Sequence, residues 1–235
     1  MTARYRAFYL LAGTVLLSGP AVASNLSYTF LDFQAVENST SAVGSQDPVP
    51  TQNVSIMTGD GKGISVGGSL EIRRFYVSGS FRTTIVDVGG TVTNNISGVI
   101  PVSDDFDLVQ TTIGLGYIQP FGENFDLTVE LSYDTTDYDF GSFAGEDFDF
   151  ADKGIGGRVG FRWNPMPALE VYAFGKHAPH GKVNLTNFEF DAETYANVGM
   201  RWYFFEDLGV GLDYEGGEVE TLTLSMRFSF GTLPW

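Results

Sequence analysis

Apolar and polar residues alternate one by one along most of the chain. Odd positions from 125 to 133 are Phe, Leu, Val, Leu and Tyr, and even positions from 126 to 134 are Asp, Thr, Glu, Ser and Asp. The same period runs through 155–163 and 222–230. A two-residue period puts apolar side chains on one face of a β-strand and polar side chains on the other. The pattern therefore predicts an all-β chain.

The length of the alternating runs separates two kinds of β architecture. The runs are about ten to fifteen residues long, whereas soluble strands usually have about five or six. A tilted strand needs about 9–11 residues to cross a bilayer. The apolar faces end in aromatic residues such as Trp163 and Tyr133, as interfacial girdles require. We expect a transmembrane antiparallel up-and-down β-barrel with its apolar face toward lipid and its polar face toward the lumen.

The chain also repeats a hairpin end. Residues 160–163, Gly-Phe-Arg-Trp, return at 199–202 as Gly-Met-Arg-Trp and are echoed at 225–228. Short turns follow the first two copies, and similar short turns are predicted near 73 and at 119–124. The connections on the other side are long and polar, at 37–61, 89–106, 137–152 and 178–187, with a short one at 215–218. Short periplasmic turns and long extracellular loops are typical of outer-membrane barrels.

We predict ten strands, an even number that brings both termini to the periplasmic side. They cover 25–36, 62–72, 74–88, 107–118, 124–136, 153–163, 169–177, 188–203, 208–214 and 219–230. An eight-stranded barrel is the alternative, and it would require two of these runs to be loops. The facing of the first strand is ambiguous because its apolar residues do not alternate cleanly.

The first 23 residues have the order of a secretory signal peptide. Arg4 and Arg6 precede an apolar stretch at 8–17, and Ala21-Val22-Ala23 forms an A-x-A cleavage signal. We expect cleavage between Ala23 and Ser24, which leaves a barrel domain at 24–235. A membrane-anchoring helix is the alternative, but it needs about 20 apolar residues.

Composition excludes several classes of function. The chain has no cysteine, so it has neither disulfides nor thiol chemistry. The predicted leader holds two of the 13 basic residues and none of the 29 acidic ones, so the remaining chain has a net charge of −18. Such acidity argues against a nucleic-acid partner, because phosphate backbones are bound through Lys and Arg. No later segment has 18 apolar residues in a row, as a spanning helix requires.

Residues 24–230 resemble the small OmpA/OmpX-like, porin-like outer-membrane β-barrel proteins of Gram-negative bacteria. The resemblance rests on Leu26-Ser27-Tyr28-Thr29-Phe30, the repeated Gly-apolar-x-aromatic hairpin ends and an alternating terminal strand. It implies contact with outer-membrane lipid and lipopolysaccharide, and insertion by the barrel-assembly machinery. That machinery reads a terminal aromatic signal, here Phe228 and Phe230, with Trp235 as the alternative end. We expect a monomer.

Strand parity predicts a charged lumen. The inward residues are Glu71, Arg74, Arg82, Asp126, Glu130, Asp134, Arg158, Arg162, Glu170, Lys176, Arg201, Asp213 and Arg227. From these we expect a salt-bridged network of Glu71, Arg74, Arg82, Glu130, Arg158, Arg162, Arg201 and Arg227 that largely closes the barrel. Eight-stranded barrels have room for little beyond side chains, and open porins use 16–18 strands. The expected function is structural or surface-interacting, and a narrow channel for small solutes is the alternative.

Two further features carry candidate chemistry. The acidic segments 104–107 and 137–152 hold many carboxylates, but they lack the spacing of a twelve-residue Ca²⁺ loop. We therefore expect solvated loops, with bridging of lipopolysaccharide through divalent ions as one use, and no dedicated metal site.

The two histidines, His177 and His180, raise the question of catalysis. Lipid A deacylase barrels pair His with Ser two residues away, and neither histidine here has that neighbour. Omptin-type proteases use Asp and His on the outer rim, so Asp213 near His177 is the remaining arrangement. A nucleophile needs its base within hydrogen-bond reach. We expect no enzyme activity and no cofactor, with a lipid A or peptide hydrolase as the minor alternative.

Overall fold

The structure, a computed structural model, describes residues 26–40, 44–49, 52–94, 98–143, 146–184, 189–217 and 219–230. Its strands are β1 Phe30–Thr40, β2 Gly44–Val49, β3 Gln52–Ile72, β4 Phe75–Asn94, β5 Gly98–Pro120, β6 Phe125–Phe143, β7 Glu146–Met166, β8 Leu169–Asn184, β9 Glu189–Tyr203, β10 Leu208–Gly216 and β11 Val219–Ser229. The described residues form no helix long and apolar enough to cross a membrane.

Ten of these strands close into an antiparallel barrel. Strands β3 to β11 pair in chain order, and β1 pairs with both β11 and β3 to complete the ring. Strand β2 pairs with β3 only, outside the ring. The predicted ten-stranded up-and-down barrel is confirmed, and the eight-stranded alternative is wrong, because all ten alternating runs are paired strands.

The barrel wall is apolar outside and polar inside. On β6, outward Leu131 is 63% exposed while its inward neighbours Glu130 and Ser132 are buried. The outward residues of β4 are mainly apolar from Phe75 to Ile85. Those ten steps span about 33 Å along the strand, or roughly 25 Å along the barrel axis at a tilt of about 40°. This height matches the apolar band of outer-membrane barrels.

Several strands are longer than the polarity of the sequence suggested. β4 and β5 run through most of the predicted 89–106 connection, and β6 and β7 through most of 137–152. β-Branched residues such as Val92, Thr93, Val99 and Ile100 favour extended backbone regardless of hydropathy. Beyond Ile85, β4 continues for nine residues, about 30 Å along the strand.

The wall is therefore uneven in height. Pairing of β8 with β9 continues out to Asn184 and Glu189, whereas pairing of β9 with β10 ends at Ala196 and Gly216. Tall strands surround most of the lumen, and the short β10–β11 hairpin leaves a low side.

The first strand begins later than predicted. Wall pairing starts at Phe30, and residues Leu26 to Thr29 lie outside any strand. Leu26 and Tyr28 are buried instead of facing lipid. The predicted start at 25 is wrong because these side chains turn into the barrel mouth.

Candidate functional site

The inward faces of the strands hold the charged side chains of the barrel. On β6 the inward residues Asp126, Thr128, Glu130, Ser132 and Asp134 are all buried. Buried charge is costly unless it is paired and hydrogen-bonded. The partners of these groups therefore define what the lumen does.

Glu170 on β8 is the centre of a buried ion cluster near the short-turn end. Arg162 on β7 donates two hydrogen bonds to it, Nε to Oε1 at 2.8 Å and Nη2 to Oε2 at 3.0 Å. Arg201 on β9 donates from Nη1 to Oε1 at 3.5 Å, and the Tyr203 hydroxyl donates to Oε2 at 2.9 Å. Glu170 is 1% exposed and Arg201 2%. The bidentate geometry is the strong form of the arginine–carboxylate pair.

Asp32 on β1 extends this cluster to the closing seam of the barrel. Arg227 on β11 donates to it from Nε at 2.9 Å and from Nη2 at 2.5 Å. Arg201 Nη2 lies 3.8 Å from Asp32, and Arg227 Nη1 lies 3.9 Å from Glu170. We call Asp32, Arg162, Glu170, Arg201 and Arg227 the inner ion cluster. Its members come from five strands, so the cluster spans the lumen.

The segment Leu26–Thr29 covers this cluster from the short-turn side. The Tyr28 ring stacks on Tyr76 with centroids 5.4 Å apart, and the Arg162 guanidinium lies 4.1 Å from the Tyr28 centroid. The Tyr28 hydroxyl donates to Asp126 Oδ2 at 3.1 Å, and Arg162 Nη1 donates to the Ser27 carbonyl at 3.0 Å. Leu26, Tyr28, Tyr76 and Ile118 form a small buried apolar cluster. Ionic, aromatic and apolar contacts thus meet at the inner mouth.

Charges in the outer half of the lumen are less densely packed. Arg158 Nη2 donates to Glu130 Oε2 at 2.9 Å, and the Ser78 hydroxyl donates to the same oxygen at 3.0 Å. Farther out, Arg82 Nη1 lies 3.9 Å and Lys176 Nζ 3.5 Å from the carboxylate of Glu215. We call Arg82, Lys176 and Glu215 the outer trio. Arg82 reaches Glu215 across the lumen, because β4 and β10 lie on nearly opposite sides of the ring.

The structure separates the residues of the predicted lumen network. It brings Arg162, Arg201 and Arg227 into the inner ion cluster and places Glu130 with Arg158. Glu71 faces the inner mouth, where its Oε2 accepts the Tyr28 backbone N–H at 3.3 Å, and Arg82 joins the outer trio.

Arg74 does not enter the lumen. It is exposed in the two-residue turn after β3 and lies 3.5 Å from the Tyr117 hydroxyl. The prediction for Arg74 is wrong because strand parity does not extend into a turn. Its neighbour Arg73 has a positive φ of 64°, as a tight hairpin turn requires.

Sequence reasoning missed three partners of the cluster: Asp32, Tyr28 and Tyr203. Pairing with β11 would have revealed Asp32, since Asp32 lies opposite Arg227 in register. Phe228 and Phe230 face outward near the short-turn end. The predicted cleavage residues Ala23 and Ser24, and Trp235, lie outside the described residues.

The candidate rim chemistry is not assembled by His177 and Asp213. His177 is exposed and lies in hydrogen-bond contact with Thr194, Nδ1 to Oγ1 at 3.1 Å. Asp213 faces the lumen, where it accepts a hydrogen bond from the Tyr172 hydroxyl. The two residues therefore lie on opposite faces of the wall. The side chain of His180 lies outside what the structure describes.

The acidic connections show no built metal site in the described part of the chain. No group of three or more potential ligand side chains converges among the described residues. Asp107, Asp137 and Asp139 are exposed on the outward face beyond the apolar band. Most other side chains of 137–152 lie outside the described set.

Comparison with known proteins finds likenesses of fold only. No family model matches the chain, and no curated protein matches it. Among solved structures, the translocator domain of the autotransporter NalP from Neisseria meningitidis is 12% identical with a TM-score of 0.48, covering 97% of this chain and 95% of that one.

Two smaller barrels are similar at the same level. Neisserial surface protein A is 12% identical with a TM-score of 0.42, covering 86% of this chain and 97% of its own. Ail, the attachment invasion locus protein of Yersinia pestis, is 14% identical with a TM-score of 0.39, covering 87% and 100%. Because these sequence identities and TM-scores are low, the description of the fold rests on the strand pairing of the chain itself.

Proposed function

We propose that this chain is an integral outer-membrane barrel with a sealed inner mouth, acting in envelope structure or surface contact and not in solute passage. The observation that carries the proposal is the inner ion cluster, whose members on five strands meet across the lumen at 2.5–3.9 Å. Removing one member of a buried ion pair costs about 3–5 kcal/mol. A permeant solute would have to separate several such contacts at once.

Location in the outer membrane of a Gram-negative bacterium is supported by three features. The apolar band is about 25 Å high, the described termini lie at the short-turn end, and residues 1–23 have the order of a secretory leader. We propose the short-turn end as the periplasmic side. The resemblance to the OmpA/OmpX-like barrels, the monomeric state and insertion by the assembly machinery through Phe228, Phe230 or Trp235 belong to the same proposal.

A role at the cell surface is supported by the tall strands. β4, β5, β6 and β7 continue well beyond the apolar band and carry exposed carboxylates such as Asp137. The described part of these strands presents exposed carboxylates beyond the apolar band. We propose that this surface contacts lipopolysaccharide, with divalent ions between like charges.

A narrow channel is the second candidate, and the cavity in the outer half of the lumen favours it. That cavity has a volume of about 220 Å³ and reaches inward to the inner ion cluster and Tyr28. A separate recess of about 440 Å³ lies on the short-turn side, and Glu170 lines both. The inner ion cluster is therefore the barrier that a channel would have to open.

Single-channel recording separates the two candidates. The purified protein in a planar bilayer is expected to give no steady openings, while a Tyr28→Ala, Glu170→Ala double variant gives a small conductance. An Arg74→Gln variant, changed outside the lumen, is the matched control. Steady, reproducible openings of the unmodified protein would support the channel instead.

We propose no catalytic role. Support comes from the opposite facing of His177 and Asp213 across the wall. Lipid A deacylation or peptide cleavage that disappeared in His177→Ala would overturn this part of the proposal.

A further inference from the structure

The lumen cavity is enriched in basic residues relative to the whole chain. The chain has 29 acidic and 13 basic residues. Six basic side chains line the cavity: Arg82, Arg158, Arg162, Lys176, Arg201 and Arg227. Among the described residues, five acidic side chains line it: Asp32, Glu130, Glu170, Asp213 and Glu215. Five of these eleven residues belong to the inner ion cluster, so the outer part of the cavity has three basic and three acidic side chains. Nearly half of all basic residues thus face one cavity of a strongly acidic protein.

We propose that this cavity is a binding site for one small oxyanion, a carboxylate or a phosphate, entering from the outer end. The outer trio supplies the first contact. One carboxylate, Glu215, stands between two cations at 3.9 Å and 3.5 Å. Charge-assisted hydrogen bonds are shorter, about 2.7–2.9 Å. Arg82 therefore keeps hydrogen-bonding capacity, and Lys176, whose ammonium also lies 5.3 Å from the Tyr195 ring centroid, shares its carboxylate with Arg82. Asp213, two residues before Glu215 on the same inward face, is the next acid in the cavity.

Arg158 supplies a second contact deeper in the cavity. Its Nη2 bonds Glu130 at 2.9 Å, and its guanidinium lies 5.0 Å from the Phe174 ring centroid; the Nε is buried, so only the terminal nitrogens can reach a ligand. The Arg158 side chain is 35% exposed, whereas Glu170 in the inner ion cluster is 1% exposed. A guanidinium left partly hydrated beside an open space is suited to an oxyanion.

The size of the cavity limits the ligand. Pockets for drug-sized molecules have about 300–1,000 Å³, so about 220 Å³ fits inorganic phosphate or a small organic acid. The inner ion cluster forms the floor, and further inward-facing acids toward the outer end are Asp134 on β6, Asp152 on β7 and Glu193 on β9. The ligand would enter and leave on the same side.

Calorimetric titration of the purified protein in detergent micelles tests the site. Inorganic phosphate and citrate are the probes, at low ionic strength. One equivalent is expected to bind per barrel. Lys176→Met should weaken binding by about tenfold to a hundredfold, because a hydrogen bond to a charged group contributes about 1.5–3 kcal/mol. Glu215→Gln should tighten binding several-fold, because it frees both cations.

Lys153→Met is the matched control, since Lys153 is exposed on the outward face of β7. Its binding should equal that of the unmodified protein, and circular dichroism should show all variants folded. Absence of binding for both probes would overturn the site. Equal weakening by Lys176→Met and Lys153→Met, or weakening by Glu215→Gln, would do the same. The titration measures binding and not transport, so its result can be interpreted even if the barrel conducts.

Discussion

The two halves of the lumen use the same residue types under different hydration. In the inner ion cluster, side chains are 1–10% exposed, and contacts at 2.5 Å and 2.8 Å accompany longer ones at 3.5–3.9 Å. In the outer trio, side chains are 16–30% exposed and the contacts are 3.5–3.9 Å. Buried charges depend on their partners, whereas hydrated ones exchange them for water at little cost. We therefore propose the inner half as a seal and the outer half as a binding site.

The largest difference between the halves is expected at the two glutamates. Glu170→Ala leaves Arg162 and Arg201 buried without their main acceptor, so the free energy of unfolding should fall by about 3–5 kcal/mol. Glu215→Ala should lower it by less than about 1 kcal/mol. Denaturant titration of the barrel in lipid vesicles measures both. Equal losses of unfolding free energy in the two variants would contradict the proposed difference between the inner and outer halves of the lumen.

A smaller effect is expected at the tyrosine that closes the inner mouth. Tyr28→Phe keeps the stack on Tyr76 but removes the hydrogen bond to Asp126. A hydrogen bond to a charged group contributes about 1.5–3 kcal/mol, and the same denaturant titration should show a loss of that size. Tyr133→Phe, exposed on the outward face of β6, is the control and should lose less than half as much. A loss as large for Tyr133→Phe would contradict the account.

Replacement of arginine by lysine should be tolerated in the outer half of the lumen but not in the inner half. Arg227→Lys replaces a bidentate contact with Asp32 by a single point contact, so unfolding free energy should fall by about 1–2 kcal/mol. Arg82→Lys should change it by less than about 0.5 kcal/mol. Thermal unfolding followed by circular dichroism gives both values. A more damaging change at Arg82 would mean that the outer trio is structural.

The smallest predicted effect is the salt dependence of the stability lost on substitution. Outer charges are within reach of ions, whose screening length is about 8 Å at 0.15 M. The stability difference between Lys176→Met and the unmodified protein should therefore shrink between low salt and 1 M salt. The difference for Arg162→Met should stay constant, because Arg162 is buried. Salt sensitivity at Arg162 would show that water reaches the inner ion cluster.

Strand parity explains why so much of the lumen was predictable. Arg162, Arg201 and Arg227 occupy equivalent places in repeated hairpin ends, so one register rule puts all three inside at one depth. Strand parity alone did not predict Asp32, because the mixed run Tyr28 to Phe33 has no single parity. Its first part leaves the wall and packs inside, and only the second part alternates.

Other features lay outside what hydropathy can indicate. Arg74 has the parity of a lumen residue, but the turn ends the strand before it. The tall strands beyond the apolar band are polar, so their pairing depends on β-branched residues and on neighbouring strands already in register. The low side of the wall coincides with the β10–β11 hairpin, where the sequence predicted the short connection 215–218.

The most direct measurement is the accessibility of the two sides of the seal. The chain has no cysteine, so Ser80→Cys reports the outer cavity and Ala168→Cys reports the recess on the short-turn side. Each variant is placed in sealed vesicles and treated with a small membrane-impermeant thiol reagent. If the lumen is sealed, the reagent labels Ser80→Cys only in barrels whose outer end faces the outside of the vesicle, and Ala168→Cys only in barrels of the opposite orientation. The two labelled fractions then add up to one, and both variants are labelled fully after the vesicles are opened. Full labelling of both variants in sealed vesicles would show an open lumen and contradict the account.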